Sequence, residues 1–330
     1  MPRPVMLGIV GDSGSGKTTI TRGLVRVLGE DQVTHFCADD YHRYDRRQRA
    51  ERGITPLDPE CNHLDVLAQH LGHLRANEPV MKPIYRHTDG TFGAPVYLQP
   101  ARFVVSEGLL AFHNQELCDM FDVRVYLAPP EELRRQWKVQ RDCSRRGYTT
   151  DQVLSELDRR EPDSEAYIRP QRERADIVVS FHAGTRSDAD HLDARLTLRN
   201  TLPQPDLTGV VGDGGDGVTL AEREDGVELN VPGTITTARA AEIEEAIWER
   251  LHFARHLRQQ RLGEFTIGTE LHRSDALGLV QLLILYHVVT ARAVVALGGE
   301  TARPFQLPTG DELVSELFGE ESVRGRGRAR

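Results

Sequence analysis

The sequence predicts an α/β fold, a mostly parallel sheet wound with helices and followed by a C-terminal α+β extension. Three observations predict it. Apolar runs of strand type alternate with helically spaced segments up to about residue 182. A glycine-rich run, Gly11-Asp-Ser-Gly-Ser-Gly-Lys-Thr-Thr19, stands between the first strand and the first helix. Beyond residue 200 the alternation yields to a Pro- and Gly-rich stretch and then to two long helical patterns.

Val5–Val10 is a short apolar run of buried-strand type, and Val33–Cys37, Arg102–Ser106, Val123–Leu127 and Ile177–Phe181 repeat it. Helical spacing marks residues 17–28, 63–75, 131–146 and 151–159. The third helix has the clearest ends, with Pro129-Pro130 and two glutamates at its start and Gly147 at its stop. Pro203, Pro205 and the Gly212–Gly217 cluster make 202–233 a linker or a hairpin-rich insert. Ala238–Gln260 is amphipathic. The apolar stretch Leu277–Leu297 holds Gln281, His287 and Arg292 with helical periodicity, which predicts a buried helix and no membrane span. Residues 1–200 thus read as a core with an arginine-rich lid around 134–160, residues 201–323 as the extension, and 324–330 as a disordered basic tail.

The formal net charge is −9, from 41 basic and 50 acidic residues, which argues against nucleic acid as a partner. Cys37, Cys61, Cys118 and Cys143 lie far apart, suggesting neither a zinc site nor a disulfide framework. The N-terminus enters the first strand almost directly, so no signal peptide is expected and the cytoplasm is the expected compartment.

Gly11 to Thr18 satisfies the phosphate-loop pattern Gly-x-x-x-x-Gly-Lys-[Ser/Thr], with the strand before it and the helix after it that the pattern requires. Its glycines let successive amides and the helix N-terminus converge on one anion. Gly11, Asp12, Ser13, Gly14, Ser15, Gly16, Lys17, Thr18 and Thr19 are therefore the candidate ATP-binding residues. Lys17 would serve the β- and γ-phosphates, and the Thr18 hydroxyl suits Mg²⁺. The chain has no Asn-Lys-x-Asp guanine reader and no Leu-Ser-Gly-Gly-Gln signature, so neither a GTP switch nor an ATP-driven transporter subunit is indicated.

Ligands of open parallel sheets bind beyond the carboxyl ends of the strands. The second strand ends in Asp39-Asp40, and both carboxylates are expected to face that crevice, one of them as a general base. Glu107 closes the strand Phe103–Ser106 and is the candidate second oxygen ligand for Mg²⁺. From Arg134 to Arg146 six cations stand against the single acid Asp142, and Lys138, Arg141, Asp142 and Arg145 share one helix face. Matching the helix dipole accounts for two or three of those cations. A mobile lid closing on the transferred phosphate accounts for the whole face.

Asp39–Arg46 (DDYHRYDR), Thr55–Asp65 (TPLDPECNHLD), Lys82–Gly90 (KPIYRHTDG), Ser106–Leu109 (SEGL), Trp137–Asp142 (WKVQRD), Arg146–Tyr148 and Arg159–Asp163 (RREPD) follow one another along the chain. In that order they resemble the phosphoribulokinase family, in its plant, cyanobacterial and archaeal form. The resemblance covers about residues 5–182 and implies a P-loop kinase fold. It also implies transfer of the ATP γ-phosphate to the 1-hydroxyl of D-ribulose 5-phosphate, and a homodimer. By position it makes Asp39 the general base and Arg46 the sugar-phosphate ligand, with His42, Tyr85 and His87 as further substrate residues. Thr18 and Glu107 would serve Mg²⁺; Lys138, Arg141 and Asp142 match the lid motif, and Arg146 lies beside it. One departure concerns regulation. The thiol-regulated plant members carry a phosphate-loop cysteine where this chain has Ser15, so the disulfide that Cys37 would share is not expected. A uridine or cytidine kinase is the alternative within the same fold, and a nucleotide-binding regulator without catalysis is the alternative of another class.

Overall fold

The computed structural model describes residues 2–184, 191–207, 210, 217–251, 257 and 262–303, the side chain of Arg145 excepted. Eight strands form one sheet. In spatial order they are β2 (Val33–Cys37), β5 (Phe103–Gly108), β1 (Val5–Gly11), β6 (Val123–Leu127), β7 (Ile177–Ala183), β8 (Leu192–Arg199), β10 (Gly226–Val231) and β9 (Thr219–Arg223). The first five run parallel and the last three are added antiparallel. The mostly parallel α/β sheet expected from the sequence is what the chain forms.

All seven residues of β1 are buried, as the unbroken apolar run requires of a central strand. The two-residue side-chain period then divides them between two cores. Val5, Leu7 and Ile9 pack with Ile20 and Leu24 of helix α1 (Lys17–Leu28), with α7 (Thr237–Arg250) and with α8 (Asp275–Ala296). Met6 and Val10 face the opposite layer, where α3 (Leu64–Arg75) and the short α4 (Gln115–Asp119) lie. β5, β6 and β7 divide in the same way, so the sheet is a wall between two apolar layers.

Helix α8 is long and apolar enough to cross a membrane, yet 67% of its most apolar 18-residue window is buried in the fold. Its contact with α1 depends on a missing side chain: a Cβ on Gly23 would lie 2.0 Å from Gln281 Nε2. The Gln281 carbonyl accepts from Gly263 N at 2.9 Å, which ties α8 to the hairpin of β11 (Glu264–Ile267) and β12 (Glu270–Arg273). At the end of the sheet away from the phosphate loop, Asp176 accepts from Arg124 and Arg303, and Asp122 from Arg3 and Arg75. Burial alone would raise the Asp176 carboxyl, but Arg303 and Arg124 hold it below the usual carboxylate range.

Several elements depart from the sequence expectation. Residues 80–98 form a hairpin of β3 (Val80–Arg86) and β4 (Thr91–Leu98), separate from the main sheet. It shows no clean alternation, because it carries Pro83 and Pro95 and leaves Met81 53% and Tyr97 65% exposed. The helix α2 (Arg46–Arg52) has the composition RRQRAER, so hydrophobic spacing could not reveal it; an Asp45 capping box starts it instead. The expected 151–159 helix runs from Thr150 to Asp163 as α6, passes through Pro162 and continues as a π-helical turn, Ser164–Ile168. The amphipathic Ala238–Gln260 is helical to Arg250 as α7; residues 252–256 and 258–260 lie outside the described residues, as does the basic 324–330 segment. The 202–233 insert contains the β9–β10 hairpin, which joins the main sheet through β8.

Candidate active site

Parallel register brings three strand ends together. Ile9 pairs with Glu107, and Cys37 pairs with Glu107 from the other side. The chain leaves β1 at Gly11, β5 at Gly108 and β2 at Cys37, so the phosphate loop, Glu107 and Asp39 share one carboxyl-end crevice.

In the loop, Gly14 and Gly16 adopt φ of 89° and 95°, which side chains rarely allow. Gly16 caps α1 without a side-chain bond, and no acidic residue occupies the first turn, so the amides at Lys17 and Thr18 are available to an anion, whereas Thr19 N donates to Gly16 O at 3.0 Å. Lys17 Nζ donates to Gly11 O at 2.6 Å and Asp12 O at 2.9 Å. Burial lowers its pKa, against the fields of Asp39, Glu107 and Asp12. The Asp12 carboxylate accepts from the Ser164 hydroxyl at the π-helical turn. Ser15 Oγ is buried beneath the loop without a hydrogen-bond partner.

Asp39 lies on a short 3-10 turn, Ala38–Tyr41, and accepts from Leu109 N at 2.8 Å. The approach depends on Gly108, whose Cβ would stand 2.7 Å from Ala38 Cβ and 3.1 Å from Asp39 Oδ1. Burial raises the Asp39 carboxyl above its ordinary range, and Lys17 and the Leu109 amide offset part of that rise. Asp40 does not share the crevice, contrary to the sequence expectation. It is buried, ion-paired to Lys82 and accepting from Tyr85 N at 2.8 Å. Its carboxylate anchors β3; the turn after β2 sends adjacent side chains in opposite directions.

Glu107 accepts from Thr18 Oγ1 at 3.4 Å and Thr21 Oγ1 at 3.2 Å, and faces His35 Nε2 at 3.2 Å. Burial would raise its carboxyl, but the His35 bond and the nearby cations bring it below the usual range. An anionic carboxylate beside a threonine hydroxyl is a hard, all-oxygen donor pair of the kind that suits Mg²⁺, which leaves its other positions to water and phosphate. Among the described residues no group of three His, Cys, Asp or Glu side chains forms a closed metal cage.

Helix α5 (Glu131–Arg146) lies over the loop. A Cβ on Gly14 would be 2.9 Å from Lys138 Cβ, and Arg134 donates to Ser13 O at 2.9 Å. Asp142 is buried on this helix, accepting from Lys138 at 2.8 Å and Arg141 Nε at 2.8 Å, with Arg146 at 3.5 Å. Burial would raise the Asp142 carboxyl, but these bonds lower it; burial lowers the Lys138 ammonium. Lys138 is thus an enclosed ion-pair partner and not part of an open cationic face. Arg141 reaches 3.5 Å from Ser13 Oγ. The Arg145 side chain lies outside the described residues.

A second group of cations gathers at the hairpin. Arg46, at the start of α2, donates to His87 O at 2.6 Å. Burial and then Arg146 lower the pKa of His87; burial, Arg141 and Arg46 lower that of Arg146. Arg46, Arg146 and His87 therefore feel one another's charge, with Asp40 opposing the shift at His87 and Asp142 that at Arg146. Tyr85 is buried, its ring 4.8 Å from His42 and 5.1 Å from His87, and its hydroxyl accepts from Arg49. His42 is buried against Asn62.

Sequence reasoning did not single out Arg49, Asn62 or Arg160, and it counted Arg134 only among the six cations of its helix. Arg160 lines a small cleft between the loop and helices α5 and α6 with Asp12, Ser13, Leu57, Lys138 and Ser164. Asn62 and Arg160 lie inside quoted motifs, yet Asn62 depends on His42, twenty residues away, and Arg160 on burial that no local pattern carries.

A model of the phosphoribulokinase / uridine kinase family matches residues 6–186. The phosphoribulokinase of Synechocystis sp. is 40% identical over 179 residues, 54% of this chain and 54% of its own length. The uridine kinase of Oceanobacillus iheyensis is 31% identical over 181 residues, 54% of this chain and 86% of its own. The solved phosphoribulokinase from Rhodobacter spheroides has a TM-score of 0.55 at 19% identity, covering 78% of this chain and 99% of that one, a likeness of fold. The chain spans about half the length of the curated phosphoribulokinase it matches.

Proposed function

Because the chain belongs to the phosphoribulokinase / uridine kinase family, we propose that it transfers the γ-phosphoryl group of ATP to the 1-hydroxyl of D-ribulose 5-phosphate. The products are ribulose 1,5-bisphosphate and ADP. One observation carries the choice of substrate: Arg46, which donates to His87 O at 2.6 Å, and Arg146 act on one another and on His87 as a second cationic group besides Lys17 of the loop that takes the nucleotide. A sugar phosphate needs such a second anion site; a nucleoside does not.

The geometry supports the following division of roles. The loop amides and Lys17 hold the nucleotide phosphates. Thr18 and Glu107 would hold Mg²⁺, which when bound neutralises phosphate charge. Asp39 accepts the proton of the attacking hydroxyl, and its raised pKa makes it a stronger base than an ordinary carboxylate once it is deprotonated. Arg141, which reaches Ser13 of the loop, would place positive charge beside the nucleotide phosphates, with Asp142 fixing its direction, and Lys138 holds that Asp142 carboxylate in place.

The test is ADP release with MgATP, comparing D-ribulose 5-phosphate with uridine, cytidine and other pentose phosphates. Preferential turnover of ribulose 5-phosphate, with the bisphosphate confirmed by mass, supports the proposal. Nucleoside turnover assigns the chain to the uridine kinase branch, and ATP binding with no turnover makes it a regulator.

Two further outcomes are expected. Arg46→Ala should raise KM for the sugar phosphate more than it lowers kcat, since it removes binding common to ground and transition states. Unchanged saturation would assign that phosphate to another cation. Thiol oxidants should not silence the enzyme reversibly: all four cysteines are free, and burial followed by Asp39 and Asp40 pushes the Cys37 thiol well above its usual range. Full recovery of oxidant-lost activity with a dithiol would contradict this.

A further inference from the structure

Building on that reading, we infer that Asn62 fixes the tautomer of His42, so that His42 Nε2 is a bare acceptor for a hydroxyl of the sugar. The argument starts from the Asn62 amide. Its Nδ2 donates to Pro56 O at 3.1 Å and Asp58 O at 2.8 Å. Two carbonyls on one side settle which end of the amide is nitrogen, because a flipped amide would set oxygen against oxygen. Oδ1 must then face His42 Nδ1, at 2.7 Å. An amide oxygen can only accept, so Nδ1 carries the ring proton.

The backbone holds this pair in place. Arg43 N donates to Cys61 O at 2.7 Å and His63 N to Tyr41 O at 2.8 Å, stapling the 55–62 loop beside the turn that carries Asp39. His42 and Asn62 are both buried, and the Tyr85 ring packs edge-on against the imidazole. A second proton on the ring is opposed from several sides. Burial lowers the His42 pKa to about 3, and Arg49, His87 and Arg160 add to the effect, against the Asn62 bond. The imidazole is therefore neutral, with its proton committed to Asn62. Nε2 makes no hydrogen bond to a described residue and is not among the sealed, unpartnered atoms of the interior.

A neutral acceptor surrounded by cations has a definite selectivity. Phosphate oxygens only accept at neutral pH, so they gain nothing at Nε2, whereas a hydroxyl can donate to it. The sugar is thereby oriented, with its phosphate at the arginines and a hydroxyl at His42. Asn62 touches no substrate in this arrangement; it is a positioning residue.

The test is long-range ¹H–¹⁵N NMR of the full chain with labelled histidine near neutral pH. The His42 signals are assigned by their absence from His42→Gln. A protonated Nδ1 with bare Nε2, whose signal moves on saturation with D-ribulose 5-phosphate, is the expected result. An Nε2–H tautomer or an imidazolium overturns the inference. So does an Nε2 that stays unmoved while ribulose 5-phosphate is turned over, and in that case the proposed activity stands. If the chain instead turns over uridine alone, the activity reading fails and takes the sugar contact with it. As a second measurement, Asn62→Asp draws the ring toward imidazolium and makes Nε2 a donor. Its kcat/KM for ribulose 5-phosphate should fall roughly 2- to 12-fold, mostly through KM, the range expected for one net hydrogen bond. An unchanged KM with Nε2 protonated would also overturn the inference.

Discussion

Asp39→Asn is expected to lower kcat roughly 10²–10⁴-fold, the range for losing a general base, with ATP affinity nearly unchanged. Asparagine keeps the shape and still accepts from the Leu109 amide, which isolates the loss of basicity from any collapse of the turn. The pH profile gives a second signature. Burial raises the Asp39 pKa, so the protonated, inactive form persists to higher pH than for an ordinary carboxyl. The acid limb of kcat/KM should therefore lie above the usual aspartate range and fall as pH drops through it. The residual rate of Asp39→Asn should lack that limb. A loss of less than about tenfold would remove Asp39 from the role.

The phosphate loop was legible because every part of it is local: a buried strand, a glycine run, and a lysine and threonine at the helix start. Asp39 and Glu107 were legible for a related reason, since a parallel sheet gathers its strand ends and both residues close strands. Asp40 shows where that reasoning stops. Its position in the sequence is as good as that of Asp39, but Lys82 and the Tyr85 amide decide its direction, and they belong to a hairpin with no readable period. The cations of α5 were legible as a charge pattern on one helix. That the pattern is closed on itself, with Lys138 and Arg141 both on Asp142, follows from burial against the loop, and composition cannot carry burial. Asn62 is the extreme case. A polar residue in a motif gives no hint that its two amide ends are spoken for by two carbonyls and one imidazole.

The second large effect is expected of Lys17→Ala, a loss of transfer of roughly 10²–10³-fold or more, by analogy with removing one preorganised transition-state donor, together with weakened ATP binding. Two consequences separate this from a merely disordered loop. Lys17 donates to Gly11 O and Asp12 O, but neighbouring amides and Gly16 shape the loop, so the fold around α1 should survive. The more telling consequence is electrostatic. Lys17 stands among Asp39, Glu107 and Asp12, and its charge offsets part of the rise that burial imposes on Asp39. Removing that charge lets the Asp39 pKa rise further, so the acid limb of the remaining activity should shift to higher pH. A general loss of structure would reduce the rate at every pH without moving the limb. Normal ATP turnover by Lys17→Ala would falsify the phosphate-loop assignment itself. A lowered rate with an unmoved limb, in a variant whose thermal unfolding matches that of the unsubstituted chain, would show that Lys17 serves the nucleotide alone, and that the base is tuned by burial and the Leu109 amide.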